Sequence, residues 1–111
     1  GVRWGGAWGE VSGAGPHAIV HATTVGMHGG PDPTGALLPA EAFTPGSLLY
    51  ELVYTPRETP LCARARARGA RVIDGVAHFA AQARAQLASW CPALEVDDAR
   101  WARLFDAALE A

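Results

Sequence analysis

Three groups of polar residues and glycines follow short apolar runs in this sequence, and each could contact a small molecule. They are Thr23 to Met27 after the run HAIVHA, Tyr54 at the end of SLLYELVY, and Gly75, His78 and Gln82 after RVID. His78 and Gln82 are four residues apart, so they share one face if this segment is helical. Hydroxyl, phenol, imidazole and amide groups can orient a polar ligand through hydrogen bonds, and a glycine allows a ligand to approach the backbone.

The three apolar runs predict buried strands at residues 17–22, 47–54 and 71–74, the second of them apolar on both faces. A helix is predicted between the second and third strands, with Thr59 as its cap, Pro60 at its first position and Gly69 just past its end. The segment PAEAF favours a single helical turn.

Two further helices are predicted after the third strand. One extends from Gly75 to about Trp90, with an apolar face listed here: Val76, Phe79, Ala80, Ala83, Leu87 and Trp90. The last begins near Asp97 or Asp98, whose carboxylates suit a helix N-terminus. Its expected buried stripe is Trp101, Leu104, Phe105, Ala108 and Leu109.

Short apolar strands that alternate with helices predict an α/β fold with a parallel sheet covered on both faces. In such sheets ligands bind outside the carboxyl ends of the strands, which is where the three polar groups lie. Three strands alone leave both sheet edges unpaired. We therefore expect one partial domain over residues 1–111, with a glycine-rich loop or linker at 1–16 and the αβ portion at 17–111.

The composition excludes several classes of function for this chain acting alone. It has 111 residues, 50% of them hydrophobic and 18% charged, with a net charge of −2, so no nucleic-acid or anionic-membrane surface is expected. All nine basic residues are arginine, which excludes Schiff-base and Walker-type lysine chemistry. No apolar run is long enough to cross a bilayer. Cys62 and Cys91 are expected to be reduced, structural thiols, which implies a cytoplasmic protein.

Three segments in register resemble the C-terminal part of the shikimate dehydrogenase family: HATTVGM, YELVYTPRETPLCARARARGARVIDG and DGVAHFAAQARAQLASW. The family shows N-A-T-x-x-G-M, then D-x-x-Y-x-P-x-x-T-P-L, then D-G-x-x-M-L-x-x-Q before a helix that ends in Trp. The resemblance covers about Ile19 to Trp90. It implies the C-terminal half of a Rossmann-like, doubly wound NADP-binding domain, with about three parallel strands and C-terminal helices.

The resemblance also implies NADPH-dependent reduction of 3-dehydroshikimate to shikimate, in aromatic amino-acid biosynthesis by way of chorismate. By position, Tyr54 and Gln82 match residues that bind the substrate. The matching cofactor-binding positions are Thr23, Met27, Leu52, Gly75 and His78. The family's catalytic Lys and Asp, its glycine-rich pyrophosphate turn and its 2′-phosphate site precede this region, so no catalytic residue is expected here. The implied partners are the small-molecule substrate and an N-terminal domain of the same enzyme, and the isolated chain is expected to be inactive.

Three positions depart from the family pattern, because His21 replaces Asn, Glu51 replaces Asp and His78 replaces Met. The first two are expected to adjust local hydrogen bonds, whereas His78 would place a titrating group near the nicotinamide. Two alternatives stay open: a quinate or shikimate dehydrogenase paralogue, and a non-catalytic binding or interaction module. In the second, the unpaired sheet edge would need a partner such as a second copy in a homo-oligomer.

Other residues favour plainer interpretations. Zinc binding by His17, His21 and His28 lacks a defined ligand set, so no metal site is predicted. Arg64, Arg66 and Arg68 are expected to form a solvated face near a helix C-terminus. The segment GAGPHA at 13–18 fits G-x-G-x-x-A, but Pro16 and a following strand argue against a dinucleotide turn. Trp4 and Trp8 are expected to pack against parts of a longer chain.

Overall fold

The computed structural model describes residues 17–110. The expectations for Trp4, Trp8 and the loop or linker at 1–16, including most of GAGPHA, lie outside the described residues. Along the chain the elements are β1 (Ala18–His21), a 3-10 turn (Ala40–Ala42), β2 (Leu48–Glu51), α1 (Pro60–Ala67), β3 (Arg71–Ile73), α2 (Gly75–Trp90) and α3 (Asp98–Glu110). The predicted α/β class and the order of the elements are confirmed.

The three strands form one open parallel sheet in the order β1-β2-β3. His21 is opposite Glu51 at the carboxyl ends of β1 and β2, and Leu48 is opposite Arg71 where β2 meets β3. Parallel pairing brings the segments that follow the strands to the same edge of the sheet. This is the geometry that the three predicted polar groups require.

The described part of the chain divides into two compact units, residues 17–78 and 79–110. In the first unit, the core lies between one face of the sheet and α1. The fully buried side chains at its centre include Phe43, Leu49, Leu61 and Cys62. On the opposite face Val20 is 65% exposed, so the expectation that both faces are covered is wrong along β1.

Helix α1 begins where its sequence predicts. The Thr59 hydroxyl accepts a hydrogen bond from the Cys62 N–H at 3.1 Å, and Pro60 occupies the first turn, where no N–H is needed. Gly69 follows the helix with a φ of 77°, which suits glycine. The N–H of Ala70 returns to the Ala65 carbonyl at 3.0 Å and ends the helix.

The strands are shorter than predicted, because their polar terminal residues bond to other groups. Strand β2 ends at Glu51, whose carboxylate accepts the N–H of Val53 at 2.9 Å and so takes that donor from the sheet. Strand β3 ends before Asp74, whose carboxylate accepts the N–H of Ala77 at 2.8 Å and caps the start of α2.

The arginines of α1 are not simply a solvated face. Arg64 donates to the carbonyl of Leu38 at 2.5 Å, and Arg68 donates to that of Phe43 at 3.4 Å, so both tie the helix to the 38–43 segment. Arg66 pairs with Glu58. The expectation holds for exposed Arg66 and Arg68 and is wrong for half-buried Arg64, whose guanidinium reaches a carbonyl of the neighbouring loop.

In the second unit, Phe79 packs edge-on against Phe105 with ring centroids 5.4 Å apart, and Arg84 pairs with Asp98 at 2.5 Å. The stripe on α3 is present, but no residue of α3 is buried and Leu104 is 54% exposed. Trp90 of α2 is 74% exposed. The predicted burial of the α3 stripe is wrong, because the few elements of this unit cannot enclose so wide an apolar surface.

Candidate functional site

A pocket of about 460 Å³ lies beyond the carboxyl ends of β1 and β2. Four of the predicted site residues line it: Thr23 and Met27 from the segment after β1, and Leu52 and Tyr54 from the segment after β2. The other lining residues are Ala22, Thr24, His28, Val53 and Thr55. Four of the residues singled out from the sequence thus lie together, and their roles in binding stay predictions.

The wall after β1 is shaped by Gly26. Its φ is +80°, and a Cβ at this position would lie 3.2 Å from the Gly35 carbonyl oxygen and 3.3 Å from a Pro60 side-chain carbon. A larger residue would be strained by both the dihedral angle and the crowding. The N–H of Gly26 donates to the carbonyl of Asp32 at 2.7 Å, which closes the loop that presents Thr23 and Met27.

The two walls are joined by a backbone hydrogen bond from the N–H of His28 to the carbonyl of Thr55, at 2.7 Å. This bond holds the loop after β1 against the segment that carries Tyr54. Tyr54 is 45% exposed, so its ring remains accessible from solvent. The side chains of Met27, Leu52 and Val53 make one part of the pocket apolar, and Thr23, Thr24 and Tyr54 add hydroxyl groups.

Gly75 lies directly against the segment that follows β2. A Cβ on Gly75 would be 2.0 Å from the Val53 carbonyl oxygen and 2.7 Å from the Tyr54 nitrogen. Only glycine permits so close an approach between the start of α2 and this backbone. Gly75 is therefore a structural neighbour of the pocket wall, in addition to the cofactor contact that the resemblance implies for it.

His78 contacts Tyr50 rather than the pocket lining. The Tyr50 hydroxyl lies 2.8 Å from His78 Nδ1, and the two rings meet edge-to-face with centroids 5.4 Å apart. Gln82 lies farther along α2, in the second unit, and is exposed. The roles of His78 and Gln82 at a cofactor and a substrate stay predictions.

The two departures at the ends of β1 and β2 contact each other. His21 is 2% exposed and Glu51 is fully buried, and His21 Nδ1 lies 2.7 and 2.9 Å from the two carboxylate oxygens. The carboxylate also accepts the Thr59 hydroxyl at 3.0 Å. His21 Nε2 lies 2.6 Å from the hydroxyl of Thr23. Both replacements are visible in the sequence, but their contact is not. It follows from the strand register, which places His21 opposite Glu51.

Within residues 17–110, no group of three His, Cys, Asp or Glu side chains could hold a metal ion. His21 is engaged with Glu51, and His17 Nε2 lies 3.0 Å from the Ala42 carbonyl oxygen. Both cysteines are free thiols, Cys62 buried and Cys91 exposed. Over the same residues, no helix combines the length and the apolar character of a membrane span.

The three-stranded parallel sheet with helices, and a pocket at its carboxyl edge, define a Rossmann-like α/β protein. No protein-family model matches the chain. Its sequence is 41% identical over 85 residues to the NADP-dependent shikimate dehydrogenase of Paracoccus denitrificans. The aligned residues make up 76% of this chain and 29% of that enzyme. It is also 46% identical over 74 residues to the NADP-dependent shikimate dehydrogenase of Gluconobacter oxydans. That alignment covers 65% of this chain and 25% of that enzyme.

Among solved structures, the quinate dehydrogenase of Corynebacterium glutamicum in complex with NAD is similar, with a TM-score of 0.74 and 27% identity. The match covers 94% of this chain and 34% of that one. The chain thus spans less than a third of the length of the two curated relatives, over their C-terminal part. The resemblance to the shikimate dehydrogenase family, and the Rossmann-like fold that it implies, are confirmed.

Proposed function

We propose that this chain forms one wall of the cofactor and substrate cleft of an NADP-dependent shikimate dehydrogenase. The observation that carries the proposal is the pocket beyond β1 and β2, because Thr23, Met27, Leu52 and Tyr54 converge there from two separate segments. These segments belong to the stretch that is similar to the curated shikimate dehydrogenases. We place the enzyme in aromatic amino-acid biosynthesis and in the cytoplasm.

The pocket lining fits the nicotinamide end of a dinucleotide. Met27, Leu52 and Val53 offer apolar surface to a flat ring, and hydroxyl groups from Thr23 and Thr24 can bond to polar substituents. None of the lining residues is Arg, so the pocket offers no guanidinium to a phosphate. The phosphates would be held elsewhere in the complete enzyme.

When bound, NADPH would provide the hydride for reduction of the carbonyl carbon of 3-dehydroshikimate. This chain contributes positioning: Tyr54 and Gln82 orient the substrate through hydrogen bonds, and Leu52 supports one face of the nicotinamide. Since the chain contains no Lys, we assign the accompanying proton transfer to a Lys–Asp pair outside these 111 residues. An N-terminal substrate domain of the same enzyme is the partner that this assignment requires.

The test is a pair of activity measurements. The complete enzyme should form NADPH from NADP and shikimate, and this chain alone should not. Shikimate-dependent NADPH formation by the isolated chain would contradict our placement of the catalytic groups. The reading frame upstream of Gly1 is a second test, since a glycine-rich turn and a Lys/Asp-bearing domain are expected there. An in-frame stop and start codon immediately before Gly1 would favour a non-catalytic module instead.

A quinate dehydrogenase is the second candidate, favoured by the structural similarity to the C. glutamicum enzyme. Quinate and shikimate compared as substrates of the complete enzyme, each with NADP and with NAD, would separate the two. A higher kcat/KM for quinate with NAD would replace our proposal by this alternative.

A further inference from the structure

The hydroxyl of Thr23 is connected to a buried carboxylate through His21. Thr23 lines the pocket, and its Oγ1 lies 2.6 Å from His21 Nε2. On the other side of the imidazole, Nδ1 lies 2.7 Å from Glu51, which is fully buried. The pocket wall therefore carries a hydroxyl whose orientation is controlled from within the protein.

The donors around Glu51 determine which imidazole nitrogen carries the proton. The Thr59 hydroxyl oxygen accepts from the Cys62 N–H, so its own hydrogen is available to Glu51. The N–H of Val53 also donates to Glu51, at 2.9 Å. Two donors therefore already point at the Glu51 carboxyl oxygens, and Nδ1–H is the third donor to them.

The remaining nitrogen, Nε2, is then free to accept the Thr23 O–H. In this arrangement every donor of the network has an acceptor inside the protein, and the N–H of Val25 donates to Thr23 Oγ1 at 3.3 Å. The hydrogens point in one direction, from Thr23 through His21 to Glu51. With its hydrogen committed to His21 and one lone pair to Val25, the Thr23 oxygen can offer only its remaining lone pair to a ligand.

We infer that His21 is a positioning residue, which fixes Thr23 as a hydrogen-bond acceptor toward the pocket. The ligand group that contacts Thr23 is accordingly a neutral donor, and a phosphate is disfavoured because two acceptors would face each other. The inference rests on the proposed function in one respect, that the ligand is a nicotinamide dinucleotide. The neutral hydrogen-bond donors of this dinucleotide near its nicotinamide ring are the carboxamide NH₂ and the ribose hydroxyls.

The first experiment needs no ligand. Nitrogen-15 NMR of the histidines in the complete enzyme at neutral pH, with His21→Asn to assign the signal, should show His21 protonated at Nδ1 and unprotonated at Nε2. A proton on Nε2, whether in the other tautomer or in the imidazolium, would overturn the inference, since Thr23 would then be free to donate to a ligand.

The second experiment measures the Kd of NADPH for the complete enzyme and its Thr23 variants. Thr23→Val keeps the shape but removes the oxygen, and should raise the Kd about 2- to 12-fold, the worth of one neutral hydrogen bond. Thr23→Ser should restore the wild-type Kd. Thr34→Val, an exposed threonine outside the pocket lining, is the matched control. A role confined to stability would not produce this difference between Val and Ser.

The 3-acetylpyridine analogue of the cofactor, which lacks the carboxamide N–H₂, distinguishes the two donors. If the effect of Thr23→Val disappears with the analogue, the donor is the carboxamide; if it persists, the donor is a ribose hydroxyl. Both results support the inference. An unchanged NADPH Kd in Thr23→Val would overturn it while leaving the proposed function intact. Absence of NADPH binding by the wild-type enzyme would overturn the proposed function and the assigned ligand together.

Discussion

Replacement of Gly75 by alanine tests how α2 positions the pocket. The added Cβ would lie 2.0 Å from the Val53 carbonyl oxygen and 2.3 Å from the Val53 carbonyl carbon, whereas real Cβ contacts stay beyond 3.0 Å. The backbone that leads into Tyr54 must therefore move by about 1 Å, the difference between these distances. Gly75 is helical and has no positive φ, so the effect is steric and not conformational.

A displacement of this size should affect both folding and catalysis. Crowding a packed position costs about 1–3 kcal/mol of stability. Misplacement of a substrate-orienting group by about 1 Å lowers the rate on the order of a hundredfold. We expect Gly75→Ala in the complete enzyme to lower kcat/KM for shikimate by about that factor, measured by steady-state NADPH formation beside thermal unfolding.

Gly29→Ala is the matched control, because an added Cβ would meet no atom within 4 Å. The φ of Gly29 is +76°, so only the backbone conformation is affected. It should cost about 1–2 kcal/mol through its backbone conformation alone, with kcat/KM close to wild type. Wild-type kcat/KM and Tm in Gly75→Ala would refute the reasoning, since they would mean that the contact with Val53 relaxes without moving the pocket wall.

Three further predictions concern the substrate, the buried network and the thiols. Tyr54→Phe and Gln82→Ala in the complete enzyme should raise the KM for shikimate with little effect on that for NADP; unchanged kinetics for both would show that the site carried over from the family is wrong. Thr59→Val removes the cap of α1 and one donor to Glu51, and should lower the free energy of unfolding by about 1–3 kcal/mol in denaturant titrations. Burial raises the pKa of Cys62 above its ordinary value of 9.0, so a thiol reagent should modify exposed Cys91 much faster. The pKa of Cys62 is higher in the folded than in the unfolded protein, so the stability contributed by this thiol is present below pH 9.0 and is lost at higher pH. Cys62→Ala should therefore reduce the fall in the free energy of unfolding above pH 9.0.

The sequence was sufficient to predict the elements whose signals are local. Thr59 and Pro60 marked the start of α1, and Gly75 and Trp90 bounded α2 as observed. Parallel pairing then followed from the alternation of apolar runs with helices. The ends of the strands were not predictable in this way, because they depend on side chains such as Glu51 and Asp74 that bond to backbone groups within the next three residues.

The placement of the candidate site residues was predictable in part. Thr23, Met27 and Tyr54 were singled out because they follow strand ends, Leu52 was added by the family resemblance, and all four line one pocket. The contact between Tyr50 and His78 joins residues 28 positions apart, and nothing local in either segment indicates it. Burial of the α3 stripe was overestimated because periodicity identifies an apolar face but not what covers it.

The contact between His21 and Glu51 has a consequence for how this sequence can change over evolutionary time. Each side chain is almost completely inaccessible to solvent, so replacement of one alone leaves the other without its partner, and a buried polar group left unpaired costs about 1–3 kcal/mol. A loss of that size is a substantial part of the roughly 5–15 kcal/mol that keeps a small domain folded. Descendants of this protein should therefore exchange the two positions together, and the pair should behave as a single inherited character.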